Sequence, residues 1–279
     1  MKIGIRAHDL GKDTVENLLD KAVSNGFEYL QLVFKKGLID GEGNPIPFNE
    51  ENAVLVKKEL DKRNIKVAML GAYFNPVHSN KELVKKNTEY FEEHLKHAKL
   101  LNCDCVGTET GSYNDDKWTY NPRNQTEEGY QDTMKTFRHL KEVAEKYETV
   151  LLMEPAWGHV IYSIDQLKRA VDELNSQYVK VTIDIFNLIY IGNYERYKEI
   201  FLQALETFKD DVKIIHLKDF YVDDGKIIQC GLGKGIIDFD YLINVVYKYA
   251  PEATLVFEGV TGEDIKPSYE LIRSIQIGK

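Results

Sequence analysis

Four apolar segments in the second half of the chain end on a side chain that can hold a metal ion or carry a proton: LLME at Glu154, VTID at Asp184, IIH at His216 and LVFE at Glu258. A single carboxylate ending an apolar strand is unremarkable, because such a group is often simply solvated. Three carboxylates gathered around an imidazole are different, since they repel one another unless a cation neutralises them. Oxygen donors with one imidazole suit Mn²⁺, Mg²⁺, Co²⁺ or Zn²⁺. The residues by themselves do not choose among these; the expectation is one divalent ion, with Mn²⁺ taken first. A metal on a carbonyl and its neighbouring hydroxyl acts as a Lewis acid and stabilises an enediolate. A nearby carboxylate then serves as base, and a second one on the opposite face returns the proton. That pair gives epimerisation, whereas transfer to the adjacent carbon gives aldose–ketose isomerisation.

Such groups need a scaffold that brings distant strand ends together. Eight short apolar runs, at 2–7, 29–34, 66–71, 105–108, 150–154, 179–184, 212–217 and 254–258, alternate with amphipathic segments along the chain. Continuous stretches such as VLLM and VKIIHL read as strands buried on both faces of a parallel sheet. Helical patterns follow at 14–24, 51–63, 82–101, 131–147, 163–174, 197–208 and 239–249, the first closed by Asn25-Gly26. No linker or composition break divides the chain. The pattern predicts the α/β class, a single (β/α)8 barrel over residues 1–279 as one domain. An open doubly wound sheet lacks support, because no GxGxxG follows the first strand. In a barrel the C-terminal strand ends converge on one mouth. Long connections at 35–50 and 110–130 follow strands and are expected as walls of that mouth, and Asp224-Gly225 within 218–238 reads as a hairpin turn.

Composition narrows the partners. Lys and Arg number 36 against 45 Asp and Glu, a formal net charge of −9, and no basic run exceeds two residues. A small polar substrate fits better than nucleic acid or an anionic membrane. No apolar stretch approaches the roughly 18 residues that span a bilayer, and the N-terminal MKIGIRAHDL reads as a first strand and not a signal peptide. A cytoplasmic location is expected. Cys103, Cys105 and Cys230 form no CxxC pair, so neither a disulfide framework nor a Cys-based zinc site is expected.

With the Glu-Pro of the fifth strand end, Asp184, His216-x-x-Asp219, a Gly-x-Gly segment and Glu258, the sequence resembles the xylose isomerase-like TIM-barrel superfamily of sugar isomerases, epimerases, dehydratases and endonuclease IV enzymes. The resemblance covers essentially the whole chain and is strongest from Leu151 onward; the ketose 3-epimerase branch is most similar in chemistry. It implies that Glu154 and Glu258 bind metal and also exchange protons with substrate, while Asp184 and His216 complete the metal shell. It is also compatible with a homo-oligomer. One departure stands out: many members carry Asp-x-x-His at the sixth strand, whereas this chain has Asp184-Ile-Phe-Asn187. Asn187 can hydrogen-bond a hydroxyl but carries no proton, which argues against a three-metal endonuclease arrangement.

Other residues have both a functional and a plainer reading. His8, Tyr73, Asn75 and Glu109 stand at or beyond strand ends and are placed toward the mouth, with Glu109 the strongest substrate-binding candidate. Trp157 and His159, in EPAWGH, are expected as a wall for a sugar face or as packing beneath the loop. Asp219 is expected to orient a ligand or a substrate hydroxyl, or to form an ion pair; Lys218 is placed on the alternate face as a structural residue. GLGKG at 231–235 is a weak phosphate-cradle signal, explained as well by a turn leading to Asp238. His94 and His97 read as helix positions. The leading function is isomerisation or epimerisation of a small sugar or polyol-derived carbonyl compound through an enediolate. A dehydratase of a keto-inositol-like substrate is the first rival, ahead of a phosphodiester endonuclease and a non-catalytic sugar-binding barrel.

Overall fold

The computed structural model describes residues 1–278. Eight strands, β1 (Lys2–Arg6), β2 (Tyr29–Leu32), β3 (Lys66–Gly71), β4 (Cys105–Glu109), β5 (Val150–Glu154), β6 (Val179–Asp184), β7 (Val212–Leu217) and β10 (Thr254–Phe257), form the barrel. They close in the order β1-β10-β7-β6-β5-β4-β3-β2, every neighbour parallel. Each strand read from the sequence is present, with its end shifted by no more than two residues.

The outer layer is α1 (Val15–Ser24), α3 (Glu50–Lys62), α4 (Lys81–His97), α5 (Glu127–Tyr147), α6 (Ile164–Leu174), α8 (Tyr197–Phe208), α9 (Phe239–Tyr249) and α10 (Ile265–Ser274). One-turn helices α2 (Phe34–Gly37) and α7 (Ile185–Leu188) follow β2 and β6. Helix starts are set by side-chain caps: Thr126 Oγ1 accepts from Gly129 N at 3.1 Å, so α5 begins four residues before the expected 131. Helix α10 was not among the seven patterns. Pro267 reads as a breaker, yet it lies in the first turn, where its missing N–H has no helical acceptor to lose.

The barrel interior is plugged, not open. Met69, Leu152, Ile214 and Val256 pack there, all at most 1% exposed. Gly107 makes the space, because a Cβ on it would stand 2.8 Å from Met69 Sδ. The larger core lies between the strands and the helices, and includes Leu18, Leu19, Phe91, Phe137, Leu167 and Phe201. Beyond β7 the chain forms an antiparallel hairpin, β8 (Asp219–Asp223) with β9 (Lys226–Cys230). Its turn is the expected Asp224-Gly225, with φ of 44° and 69°.

Candidate metal centre and active site

Side chains alternate along a strand, so the residue two positions beyond an interior one also points inward. Leu152, Thr182, Ile214 and Val256 lie in the interior, Thr182 with its hydroxyl 3.9 Å from Met69 Sδ. Two residues further along stand Glu154, Asp184, His216 and Glu258. One ligand atom from each falls within 4.8 Å of the others. The same alternation carries Arg6 beyond Gly4, Glu109 beyond Gly107, and Gln31 level with Met69. The cluster therefore sits directly on an apolar plug.

The imidazole is the hub. His216 Nδ1 is 2.9 Å from Glu258 Oε2, 3.1 Å from Glu154 Oε1 and 3.9 Å from Asp184 Oδ2. On the other side Gln31 Oε1 lies 2.7 Å from His216 Nε2, and Gln31 Nε2 donates to the Tyr73 hydroxyl at 2.7 Å. Burial alone would lower the His216 pKa, but Glu258 and Glu154 hold it well above the ordinary value. Burial would raise Glu258, yet His216, Lys218 and Arg6 hold it well below the carboxylate range.

Two cations share this ground. Arg6 Nη1 donates to Glu258 Oε1 at 2.6 Å, while its other nitrogens grip Asp9 at 2.8 and 3.0 Å. Lys218 Nζ is 2.7 Å from Asp184 Oδ2, 3.2 Å from Glu258 Oε1 and 3.2 Å from Asn187 Oδ1. This corrects the expectation that Lys218 points away as a structural residue. Strand β7 ends at Leu217, so alternation no longer governs the next side chain. Burial opposes its charge, but Asp184 and Glu258 raise its pKa.

Asp184 Oδ1 accepts from Phe186 N at 2.9 Å, which caps α7. Its Oδ2 is buried and accepts no well-aligned hydrogen bond, despite the nearby ammonium. That oxygen, whose neighbour is an ammonium without hydrogen-bond alignment, fits a divalent ion together with two further carboxylates and an imidazole. Ligands at roughly 2.1 Å on opposite sides of an ion are about 4.2 Å apart. The observed spread of 4.8 Å needs only a small contraction.

Above the cluster lies a cavity of about 390 Å³ lined by Arg6, Lys36, Tyr73, Glu109, Trp118, Glu154 and Glu258. Tyr73 and Glu109 are where the sequence placed them. Burial, then Glu154 and Glu258, push the Glu109 carboxyl up to about 8. Asn187 donates to Glu154 Oε1 at 2.8 Å and to Glu109 Oε1 at 3.4 Å. The connections 35–50 and 110–130 each contribute one wall residue, Lys36 and Trp118.

Other candidates lie elsewhere. Trp157 is stacked between Tyr120 and Tyr190, at 5.0 and 4.4 Å, and faces a separate cavity of about 350 Å³. His159 is buried, edge-on to Trp118 at 5.4 Å, and supports that wall from behind; burial takes its pKa down to about 4. His8 does not line the cavity, and burial, Arg6 and Lys36 lower it to about 3. Asn75 is buried and donates to the carbonyls of Ser112 and Asp115, which ties down the 110–130 connection.

Asp219 neither touches His216 nor lines the cavity. Its carboxylate accepts from the backbone N–H groups of Phe220, Gly233, Gly235 and Ile237, at 2.8 to 3.1 Å. The 231–235 segment is thus a cradle for the protein's own carboxylate, which corrects its phosphate reading. His94 is a satisfied helix position, with Nδ1 2.7 Å from Tyr90 O and its ring 4.0 Å from Phe48. Arg6, Gln31, Lys36 and Trp118 were missed. Alternation from Gly4 and from Met69's partner strand would have found the first two; nothing local marks Lys36 or Trp118.

The closed parallel barrel carries its three carboxylates and imidazole at the C-terminal strand ends, the face on which this architecture builds its active sites. The chain belongs to the xylose isomerase-like TIM barrel family, whose model matches residues 19–275. No curated protein matches it by sequence. Among solved structures it is similar to 3-keto-D-glucoside 4-epimerase, YcjR, from E. coli (18% identity, 98% of this chain and 99% of that one, TM-score 0.76). It is also similar to the probable 3-DHS dehydratase AsbF from Bacillus anthracis (13%, 99% and 100%, TM-score 0.75). A third is the IOLI protein with a binding zinc atom (14%, 99% and 96%, TM-score 0.72). At these identities the likeness is one of fold. Among the described residues, no helix is long and apolar enough to cross a membrane.

Proposed function

We propose that Glu154, Asp184, His216 and Glu258 hold one divalent ion, Mn²⁺ before Mg²⁺, Co²⁺ or Zn²⁺, and that the protein isomerises or epimerises a small sugar or polyol-derived carbonyl compound. The observation that carries this reading is the convergence of three carboxylates and one imidazole, two of whose members, Glu154 and Glu258, line a cavity of about 390 Å³. The epimerase and the zinc-bearing protein of the same fold support it. When bound, the ion would polarise a carbonyl and its neighbouring hydroxyl and lower the cost of an enediolate.

The chain's own groups move the proton. Glu154 ends β5, and Glu258 directly follows β10, which lies three places away around the barrel. The two carboxylates therefore reach a substrate from different sides, as removal and return of a proton on opposite faces require. Asn187 fixes Glu154 and Arg6 fixes Glu258 before substrate arrives. Tyr73 and Glu109 offer hydrogen bonds to hydroxyls, and Trp118 gives the cavity an aromatic wall; the Asn187 amide is committed to Glu154, Glu109 and Lys218 and acts through them.

A dehydratase reading has one observation of its own. Glu109 faces the cavity with its carboxyl pushed up to about 8, an acid able to protonate a departing hydroxyl. The dehydratase of the same fold agrees with it. Product analysis separates the two, since only the lyase loses water.

The test begins with elemental analysis of wild type and Glu258→Gln after Mn²⁺ supply. About one ion per chain, lost or weakened in the variant, is expected. A screen of ketoses for deuterium uptake from solvent follows. Failure of wild type to bind any of the four ions sinks the proposal.

A further inference from the structure

We propose that Lys218 is the protein's own cation for the carboxylate cluster, a positioning residue that holds Asp184 and Glu258 in place and competes with a metal ion for the same oxygens. The inference rests on the metal-site reading above. Of the two Asp184 oxygens, Oδ1 is committed to Phe186 N at 2.9 Å, so Oδ2 is the one free to ligate. The group next to Oδ2 is the Lys218 ammonium, 2.7 Å away. The same ammonium lies 3.2 Å from Glu258 Oε1. An ion bound there and this ammonium would be like charges at one pair of carboxylates.

Arg6 also reaches Glu258, but it cannot leave easily. Its planar fork is gripped twice by Asp9, which is itself held by Gly259 N at 2.7 Å. Lys218 has a flexible stem and a single point charge, so it is the group able to yield. Its root is fixed, because the next residue, Asp219, is locked into four backbone N–H bonds. Movement is thereby confined to the side chain, whose ammonium lies over the Phe186 ring, 5.3 Å from its centre. Asp184 and Lys218 are both buried, at 0% and 6% exposure, so water cannot take over the ammonium's task. A buried carboxylate stripped of its cation is costly.

Competition predicts a result that a merely structural lysine would not give. Wild type, Lys218→Met and Lys218→Arg are stripped with chelator, titrated with Mn²⁺ by calorimetry, and melted with and without saturating Mn²⁺. Lys218→Met is expected to bind Mn²⁺ about tenfold tighter or more, because a like charge has gone from the cluster. It should also melt below wild type when stripped and gain more from Mn²⁺. Lys218→Arg, which keeps the charge, should bind no tighter than wild type. Equal or weaker binding by Lys218→Met, or tighter binding by Lys218→Arg, overturns the proposal and leaves the metal site standing. Failure of wild type to bind Mn²⁺ overturns both. Should Lys218→Met not fold, a crystal structure of Mn²⁺-loaded wild type decides: the ammonium is expected out of contact with Asp184, and a retained contact refutes the competition.

Discussion

Gln31 Oε1 lies 2.7 Å from His216 Nε2, so an imidazole carried on β7 is aimed by a residue on β2, across the barrel. Partners on the far nitrogen of a ligating histidine fix its tautomer and ring orientation, and their loss typically costs about 10–100-fold in metal affinity. Gln31→Leu is therefore expected to weaken Mn²⁺ binding by about that factor while circular dichroism stays that of wild type. Unchanged affinity would mean that the carboxylates alone position the ring.

His216 faces carboxylate oxygens through Nδ1 and an amide oxygen through Nε2, and its pKa is raised well above the ordinary value. That shift favours the doubly protonated ring in protein stripped of metal, and Nδ1 must release its proton to become a ligand. Mn²⁺ uptake should liberate about one proton per ion near pH 7, read by calorimetry in buffers of different ionisation enthalpy. Affinity should climb as pH rises toward the folded-state pKa. The stability of stripped protein has the opposite sign: the imidazolium's contribution is full below about pH 6.5 and is lost as pH rises through the raised value.

Asp219→Ala should be a folding defect before it is a catalytic one. The substitution leaves the N–H groups of Gly233, Gly235 and Ile237 without their acceptor. The Ile237 bond, like that of Phe220, is buried, whereas those of Gly233 and Gly235 are partly exposed; at about 1–3 kcal/mol for each buried group left unmade, a loss of roughly 2 kcal/mol or more is expected from chemical denaturation. A substrate-binding role would instead show as a raised KM with stability intact.

The two tryptophans should behave differently. Trp118 lines the cavity above the carboxylates, and Trp157 is sandwiched between tyrosines beside another cavity. Trp118→Ala is expected to raise KM for an accepted sugar about tenfold with kcat little changed, the pattern of lost uniform binding. Trp157→Ala should lower the melting temperature and leave KM near wild type. The reverse pattern would move the substrate to the Trp157 cavity.

The barrel and the convergence of its four strand-end residues were legible because both follow from short-range periodicity. Apolar runs of strand length alternate with helical stripes, and in a parallel barrel each run must deliver its last inward residue to the same mouth. Glu154, Asp184, His216 and Glu258 could thus be placed together without a contact in hand. Arg6 and Gln31 obey the same two-residue rule and needed only its wider use.

What tertiary structure alone decided lies where periodicity stops. Lys218 follows the last residue of β7, so its direction is set by the hairpin behind it and not by pleating. Asp219 was spoken for by amides 14 to 18 residues later. Trp118 and Trp157 occupy connections whose paths depend on packing between distant segments, and equal chemistry led one to the cavity and the other away. The strand pattern by itself determined which groups meet; loop packing decided which neighbours surround that cluster, because a loop's course is fixed by long-range contacts that no local spacing encodes.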